Sequence, residues 1–130
     1  MYVSLMTLFV HDVDRALDFY TRVLGWEKRD DAEMGPGMRW VTVGPPGEKT
    51  SFVLARGFGG WSSEKVGGPT GTVLEVVDVE ATVADLSQRG VEFSEPPRVE
   101  PWGLYAQFKD SEGNEFGLHS EQSTLAGINI

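Results

Sequence analysis

The 130-residue chain contains no cysteine. Disulfides, thiolate metal sites and a cysteine nucleophile are therefore excluded. No apolar run approaches the roughly 20 residues of a membrane span. The N-terminal Met1-Tyr2-Val3-Ser4-Leu5 lacks the basic start and cleavage site of a signal peptide, so a cytoplasmic location is expected. Positive charge is scarce as well. Eleven Lys and Arg stand against 20 Asp and Glu, a formal net charge of −9, and the isoelectric point is about 4.6. Nucleic acid is a poor partner for such a chain, because its binding rests on basic side chains that neutralise phosphates. An acidic surface favours solubility and, weakly, cationic small ligands. A phosphate-binding loop is missing too, since Gly57-Phe58-Gly59-Gly60 is not followed by Lys and Ser or Thr. No Gly-x-Ser-x-Gly nucleophile elbow occurs.

What the chain does have is repetition. Leu8, Val10, Asp12 and Val13 recur as Leu74, Val76, Asp78 and Val79, each 66 positions further on (74 − 8). The same offset carries Gly37 onto Gly103 and Gly47 onto Gly113. The chain thus reads as two copies of one unit. Val3 to Val10 alternates as a strand, with Met6, Leu8 and Val10 on one face and Leu5, Thr7 and Phe9 on the other. Asp12 and Asp14 are helix-start signals, Ala16, Leu17, Tyr20, Val23 and Leu24 form an apolar helical stripe, and Gly25 is a stop. Trp26 to Arg29 opens an extended segment, and Asp30 to Gly37 reads as a polar loop. Met38 to Val43 and Thr50 to Ala55 read as strands around the Gly44-Pro45-Pro46-Gly47 turn.

The second copy follows the same plan. Thr72 to Val77 is a strand, and Val79 to Arg89 a helix with Val79, Val83 and Leu86 inward and Gly90 at its end. Val91-Glu92-Phe93 then matches Trp26-Glu27-Lys28 at an offset of 65 (91 − 26), so the second helical segment is one residue shorter. Leu104 to Lys109 and Glu115 to His119 are strands around Asp110-Ser111-Glu112-Gly113-Asn114. The expected division is a first β-α-β-β-β module over 1–55, a Gly-rich linker over 56–68, a second module over 69–120 and a tail over 121–130. That tail is expected either to be disordered or to dock its Leu125 and Ile128 on a partner.

Two stretches carry a family resemblance. One runs from Phe9-Val10-His11-Asp12-Val13-Asp14-Arg15-Ala16-Leu17-Asp18-Phe19-Tyr20 to Val23-Leu24-Gly25. The other joins Gly90-Val91-Glu92-Phe93, Pro101-Trp102-Gly103 and Phe108-Lys109-Asp110-Ser111-Glu112-Gly113-Asn114-Glu115-Phe116. Together they resemble the vicinal oxygen chelate superfamily, which holds glyoxalases, extradiol dioxygenases and bleomycin-resistance proteins. The resemblance covers about Val3 to His119. It implies an α+β fold of two tandem β-α-β-β-β modules whose mixed sheet curls around a cleft, and a homodimer. In the metal enzymes of this group, His, Gln or Glu ligands stand on the first and last strands of each module. Carried over, those positions are Leu5, Ser51, Gly71 and Gly117. Leu and Gly offer no donor atom, and a Ser hydroxyl is a poor neutral ligand. No metal and no other cofactor is expected, and no catalytic residue is assigned.

The expected function is therefore metal-free binding of an aromatic or amphipathic small molecule, cationic or neutral, of the bleomycin-resistance kind. Trp102, Tyr105 and Trp61 would stack on it, and Thr7, Ser51, Gln107 and His119 would set polar contacts. Glu75 and Glu115 would favour a cationic group. Trp40 reads as a core aromatic and His11 as exposed. The alternative is a glyoxalase-like lyase, isomerase or dioxygenase with relocated ligands, drawn from His119, Glu115 and Glu75. A third reading gives His119 the part of general base.

Overall fold

In the computed structural model, which describes residues 1–121, the chain forms two compact units. The first comprises Met1–Gly68 and Asp110–Asn114; the second comprises Pro69–Lys109 and the described residues from Glu115 on. The tail's Leu125 and Ile128 lie outside the described residues. Each unit carries one four-stranded sheet, and the two sheets have the same strand order. The fold is thus α+β, a duplicated β-α-β-β-β unit. Among the described residues no helix is long and apolar enough to cross a membrane.

The first unit runs β1 (Leu5–Phe9), α1 (Val13–Asp18), β2 (Glu27–Glu33), β3 (Arg39–Gly44) and β4 (Ser51–Ala55). Its sheet is ordered β1-β4-β3-β2. β1 and β4 are parallel, with Leu5 opposite Ser51 and Thr7 opposite Val53. β3 is antiparallel to both β4 and β2. Helix α1 starts at Asp12, whose extended backbone and carboxylate accepting from the Arg15 N–H at 3.0 Å make an N-cap. It continues as a single π-helical turn over Phe19–Val23 and ends at Gly25, whose φ of +78° suits glycine. Ala16 and Tyr20 are fully buried, as are Val41, Val43 and Leu54 in the strands. Removal of each large side chain from water stabilises the fold by roughly 1.5–3 kcal/mol.

The second unit repeats the plan with β5 (Gly68–Glu75), α2 (Val79–Gln88), β6 (Glu92–Glu100), β7 (Gly103–Lys109) and β8 (Asn114–Ser120), ordered β5-β8-β7-β6. Asp78 caps α2 as Asp12 caps α1, accepting from the Ala81 N–H. Leu104, Ala106 and Phe108 of β7 and Phe116 and Leu118 of β8 are buried on one face. Phe108 and Phe116 stack with centroids 5.4 Å apart. Alternation leaves Tyr105, Gln107, Gly117 and His119 on the other face, as the sequence predicts.

Two strands run further than the sequence suggests. The acidic stretch expected as loop from Asp30 is strand as far as Glu33. β2 is an edge strand, and charge on an edge both tolerates solvent and blocks pairing with other chains. Its register slips between Lys28 and Asp30, a bulge that re-aims Arg29. β6 likewise extends through Pro96 and Pro97 to Glu100. Proline is tolerated there because β6 is also an edge, and its register shifts twice.

Candidate functional site

The second unit gathers four of the predicted ligand residues on its open face. Tyr105 pairs with His119 across the β7–β8 ladder, and Gln107 pairs with Gly117. Trp102 stands in the turn that enters β7 and remains 54% exposed. Its indole meets the Tyr105 ring edge-on at 5.3 Å and tilts over the His119 ring at 5.9 Å. The Gln107 amide donates to Glu115 Oε1 and Ser94 Oγ, both at 3.1 Å, and the Tyr105 hydroxyl lies 3.4 Å from Gln107 Oε1. An indole shelf thus sits beside a hydrogen-bonded polar strip.

His119 holds that shelf in place. Its Nδ1 lies 2.6 Å from Glu75 Oε1, and its Nε2 lies 2.7 Å from the Trp102 carbonyl oxygen. A carboxylate and a carbonyl only accept, so these contacts favour the doubly protonated ring, in which both nitrogens donate. The Trp102 carbonyl first, and the Glu75 carboxylate second, raise its pKa above the ordinary 6.5. Gly103 makes the approach possible. A Cβ there would lie 2.5 Å from His119 Nε2 and 2.5 Å from the Ser120 carbonyl oxygen. The Trp-Gly pair of the sequence motif is therefore one device, an exposed indole whose carbonyl is clamped through a missing side chain.

The other predicted residues lie in the first unit. Leu5 and Thr7 are exposed on β1, and the Thr7 hydroxyl has no hydrogen-bond partner among the described residues. Ser51 is already engaged. Arg29, re-aimed by the β2 bulge, donates to Ser51 Oγ at 3.1 Å, to the Thr50 carbonyl at 3.0 Å and to the Pro45 carbonyl at 2.7 Å. Trp61 is fastened down, its Nε1–H donating to the Val10 carbonyl at 2.9 Å. Trp40 is half-buried and stacks on Phe58 at 6.0 Å.

The sequence reading missed Arg98, which the register places opposite Tyr105 with its guanidinium 5.2 Å over the ring. Glu95 and Glu100 bind Arg98 from the same strand. It also missed Ser94 and Arg29. All three lie in or beside register shifts of the edge strands, and no periodic pattern announces a bulge.

The donor chemistry does not fit a metal at the positions the resemblance indicates. Leu5, Gly71 and Gly117 have no donor atom, and Arg29 holds Ser51. At Gly117 even a Cβ would lie 2.6 Å from the Tyr105 hydroxyl, so a longer ligand would displace that ring. The relocated set fails for a different reason. His119 has both nitrogens engaged, Glu75 binds His119, and Glu115 accepts from Gln107. Among the described residues no three acidic or histidine side chains gather as a metal would require.

The acidic turn 110–114 is structural. The Asp110 carboxylate accepts from the Tyr20 hydroxyl at 2.5 Å, from the Glu112 and Asn114 N–H groups at 2.8 Å and from the Asn114 amide at 3.0 Å. Glu112, its side chain fully buried, accepts from Arg15 and from the His11 N–H at 2.7 Å. Burial first, and the Asp110 charge second, push the Tyr20 phenol well above its usual range, which keeps it a donor.

Comparison with known proteins agrees with this architecture. The family model for the glyoxalase/bleomycin resistance protein/dioxygenase superfamily matches residues 3–118. The chain belongs to that superfamily. A crystal structure of a superfamily member from Sphaerobacter thermophilus DSM 20745 is 41% identical, with a TM-score of 0.82 over 93% of this chain and 98% of that one. TnmS3, an antibiotic binding protein from Streptomyces sp. CB03234, is 35% identical, with a TM-score of 0.80 over 93% and 96%. The uncharacterized protein YetH of Bacillus subtilis (strain 168) is 32% identical over 116 residues, 89% of this chain and 95% of that protein.

Proposed function

We propose that the protein binds a small aromatic or amphipathic molecule, and sequesters it without metal chemistry. One observation carries the reading. Trp102 is an exposed indole, yet its backbone carbonyl and ring are fixed by His119, Glu75 and Tyr105. An exposed aromatic normally wastes contact area, whereas a preorganised one binds at low entropic cost. The 35% identity to an antibiotic binding protein supports the same class of ligand. The cationic preference rests on Glu115, whose partner is the neutral Gln107 amide, because Glu75 is engaged by His119. The site also offers a π face bordered by the Gln107 amide. We include a homodimer in a cytoplasmic setting in the proposal, since Leu5, Met6 and Val73 leave apolar surface exposed on the first strand of each unit. Sedimentation at micromolar concentration decides the oligomeric state.

Titration with a panel of aromatic antibiotics, followed by tryptophan fluorescence, tests the binding reading. Trp102→Ala is expected to weaken any compound that binds by about 2 kcal/mol, a loss of roughly 30-fold. Unchanged affinity in that variant sinks the stacking proposal.

A further inference from the structure

A cavity separate from the Trp102 shelf belongs wholly to the first unit. It is open, holds about 590 Å³, and is walled by His11 and the start of α1, by Arg39, and by Arg56 and Trp61. Gly37 and Gly57 complete the rim, and a Cβ at either would meet nothing within 4 Å. The space is therefore unfilled by the chain's own side chains. Its aromatic wall is rigid, because the Trp61 indole N–H is tied to the Val10 carbonyl and the His11 ring stands edge-on to the indole at 6.2 Å.

Charge separates this cavity from the rest of the surface. The chain has seven arginines and a net charge of −9. Arg15, Arg22, Arg29, Arg39, Arg89 and Arg98 each lie within ion-pair distance of a carboxylate. Among the described residues Arg56 alone does not. Its guanidinium sits 5.5 Å over the Trp61 ring and makes no hydrogen bond or ion pair among the described residues. The acidic groups on the wall are already used. Asp14 is bound by Arg39 at 2.7 Å, and Asp12 caps α1. The His11 ring also lacks a hydrogen-bond partner and carries at least one N–H in either protonation state. A fork of donors on Arg56 and a further N–H on His11, set against a fixed indole, match a planar anion with an aromatic body.

We propose that this cavity is a second binding site, selective for small aromatic carboxylates, with Arg56 and His11 taking the carboxylate and Trp61 the ring. It goes beyond the binding reading above and does not depend on Trp102.

The probe is benzoate, with benzamide as its uncharged match, added to the full chain labelled with nitrogen-15. The Trp61 indole N–H signal, assigned by its loss in Trp61→Phe, is expected to shift saturably with benzoate and at least tenfold more weakly with benzamide. Arg56→Gln, an exposed substitution that leaves the core untouched, is expected to weaken benzoate about tenfold or more, and Arg56→Lys to recover part of the loss. Trp102→Ala is expected to leave benzoate binding unchanged. Equal response to benzoate and benzamide, no response to benzoate, or full affinity in Arg56→Gln overturns the proposal. Loss of benzoate binding in Trp102→Ala overturns it as well, by placing the anion on the other face.

Discussion

The turns at 44–48 and 110–114 occupy matching places in the two copies, and they are held together by opposite chemistry. In the first, the turn supplies acceptors and a base from outside supplies donors. Arg29 reaches in to the Pro45 and Thr50 carbonyls, so close to Gly44 that a Cβ there would lie 2.5 Å from its Nη1. In the second, the turn supplies the acid. Asp110 gathers its own turn's N–H groups and the Tyr20 hydroxyl, and Asn114 reaches the Phe9 carbonyl at 3.1 Å. Buried backbone groups must be satisfied in both copies, but nothing requires the same partner. Duplication kept the demand and let the supply diverge. The open faces diverged in the same manner. The first presents exposed Leu5 and an unpaired Thr7 hydroxyl, while the second presents a clamped indole and a polar network.

The turn comparison breaks most readily at Asp110. Asp110→Ala removes four accepted hydrogen bonds from a buried position and is expected to cost about 4 kcal/mol. Arg29→Ala, at a partly exposed side chain, is expected to cost about 2 kcal/mol. Urea denaturation of both variants measures the gap, and equal costs would show the two turns to be equally loaded. Next in size is Gly103→Ala. Its Cβ would collide with His119 and the Ser120 carbonyl from a φ of +129°, at a cost of about 2–3 kcal/mol. Gly37→Ala, at the matching place in the first copy, meets no atom within 4 Å and is expected to cost only the strain of its φ of +72°, about 1 kcal/mol.

The smallest effect is a pH dependence confined to the second unit. His119 has a raised pKa when folded, from the Trp102 carbonyl first and Glu75 second, so folding favours its proton. The stability it contributes is full below the ordinary value of 6.5 and is lost as pH rises through the raised value. The melting temperature is expected to drop modestly as pH rises above the ordinary value of 6.5, and His119→Gln to remove that drop. A drop that survives the substitution assigns the titration elsewhere.

Much of this was legible in the chain itself. The offset marked the duplicated sequence of elements, Asp12 announced its helix, and alternation in β7 separated Tyr105 and Gln107 from the buried Ala106 and Phe108. The clamp was not legible, because Glu75, Trp102 and His119 belong to separate segments and meet only through strand packing. A reading along the chain sees a histidine and two glutamates and allows a metal. The structure shows the histidine spent on a carboxylate and a carbonyl. The length of β2 was hidden for another reason. An edge strand with no apolar alternation announces itself only through the backbone bonds it makes. Trp61 was legible as an aromatic, but its fastening was not, because its tether is to a main-chain oxygen that no side-chain pattern reports.

The π-helical turn at Phe19–Val23 bears on the repeat. The two copies differ by one residue between their helix starts and their second strands, and a helix meets such a surplus by widening one turn instead of rotating everything after it. The Leu24 N–H bonds the Phe19 carbonyl five residues back, and there the surplus is absorbed. Gly25 still stops the helix and β2 still begins where its counterpart does. The wide turn is where the one-residue difference in length between the copies is held.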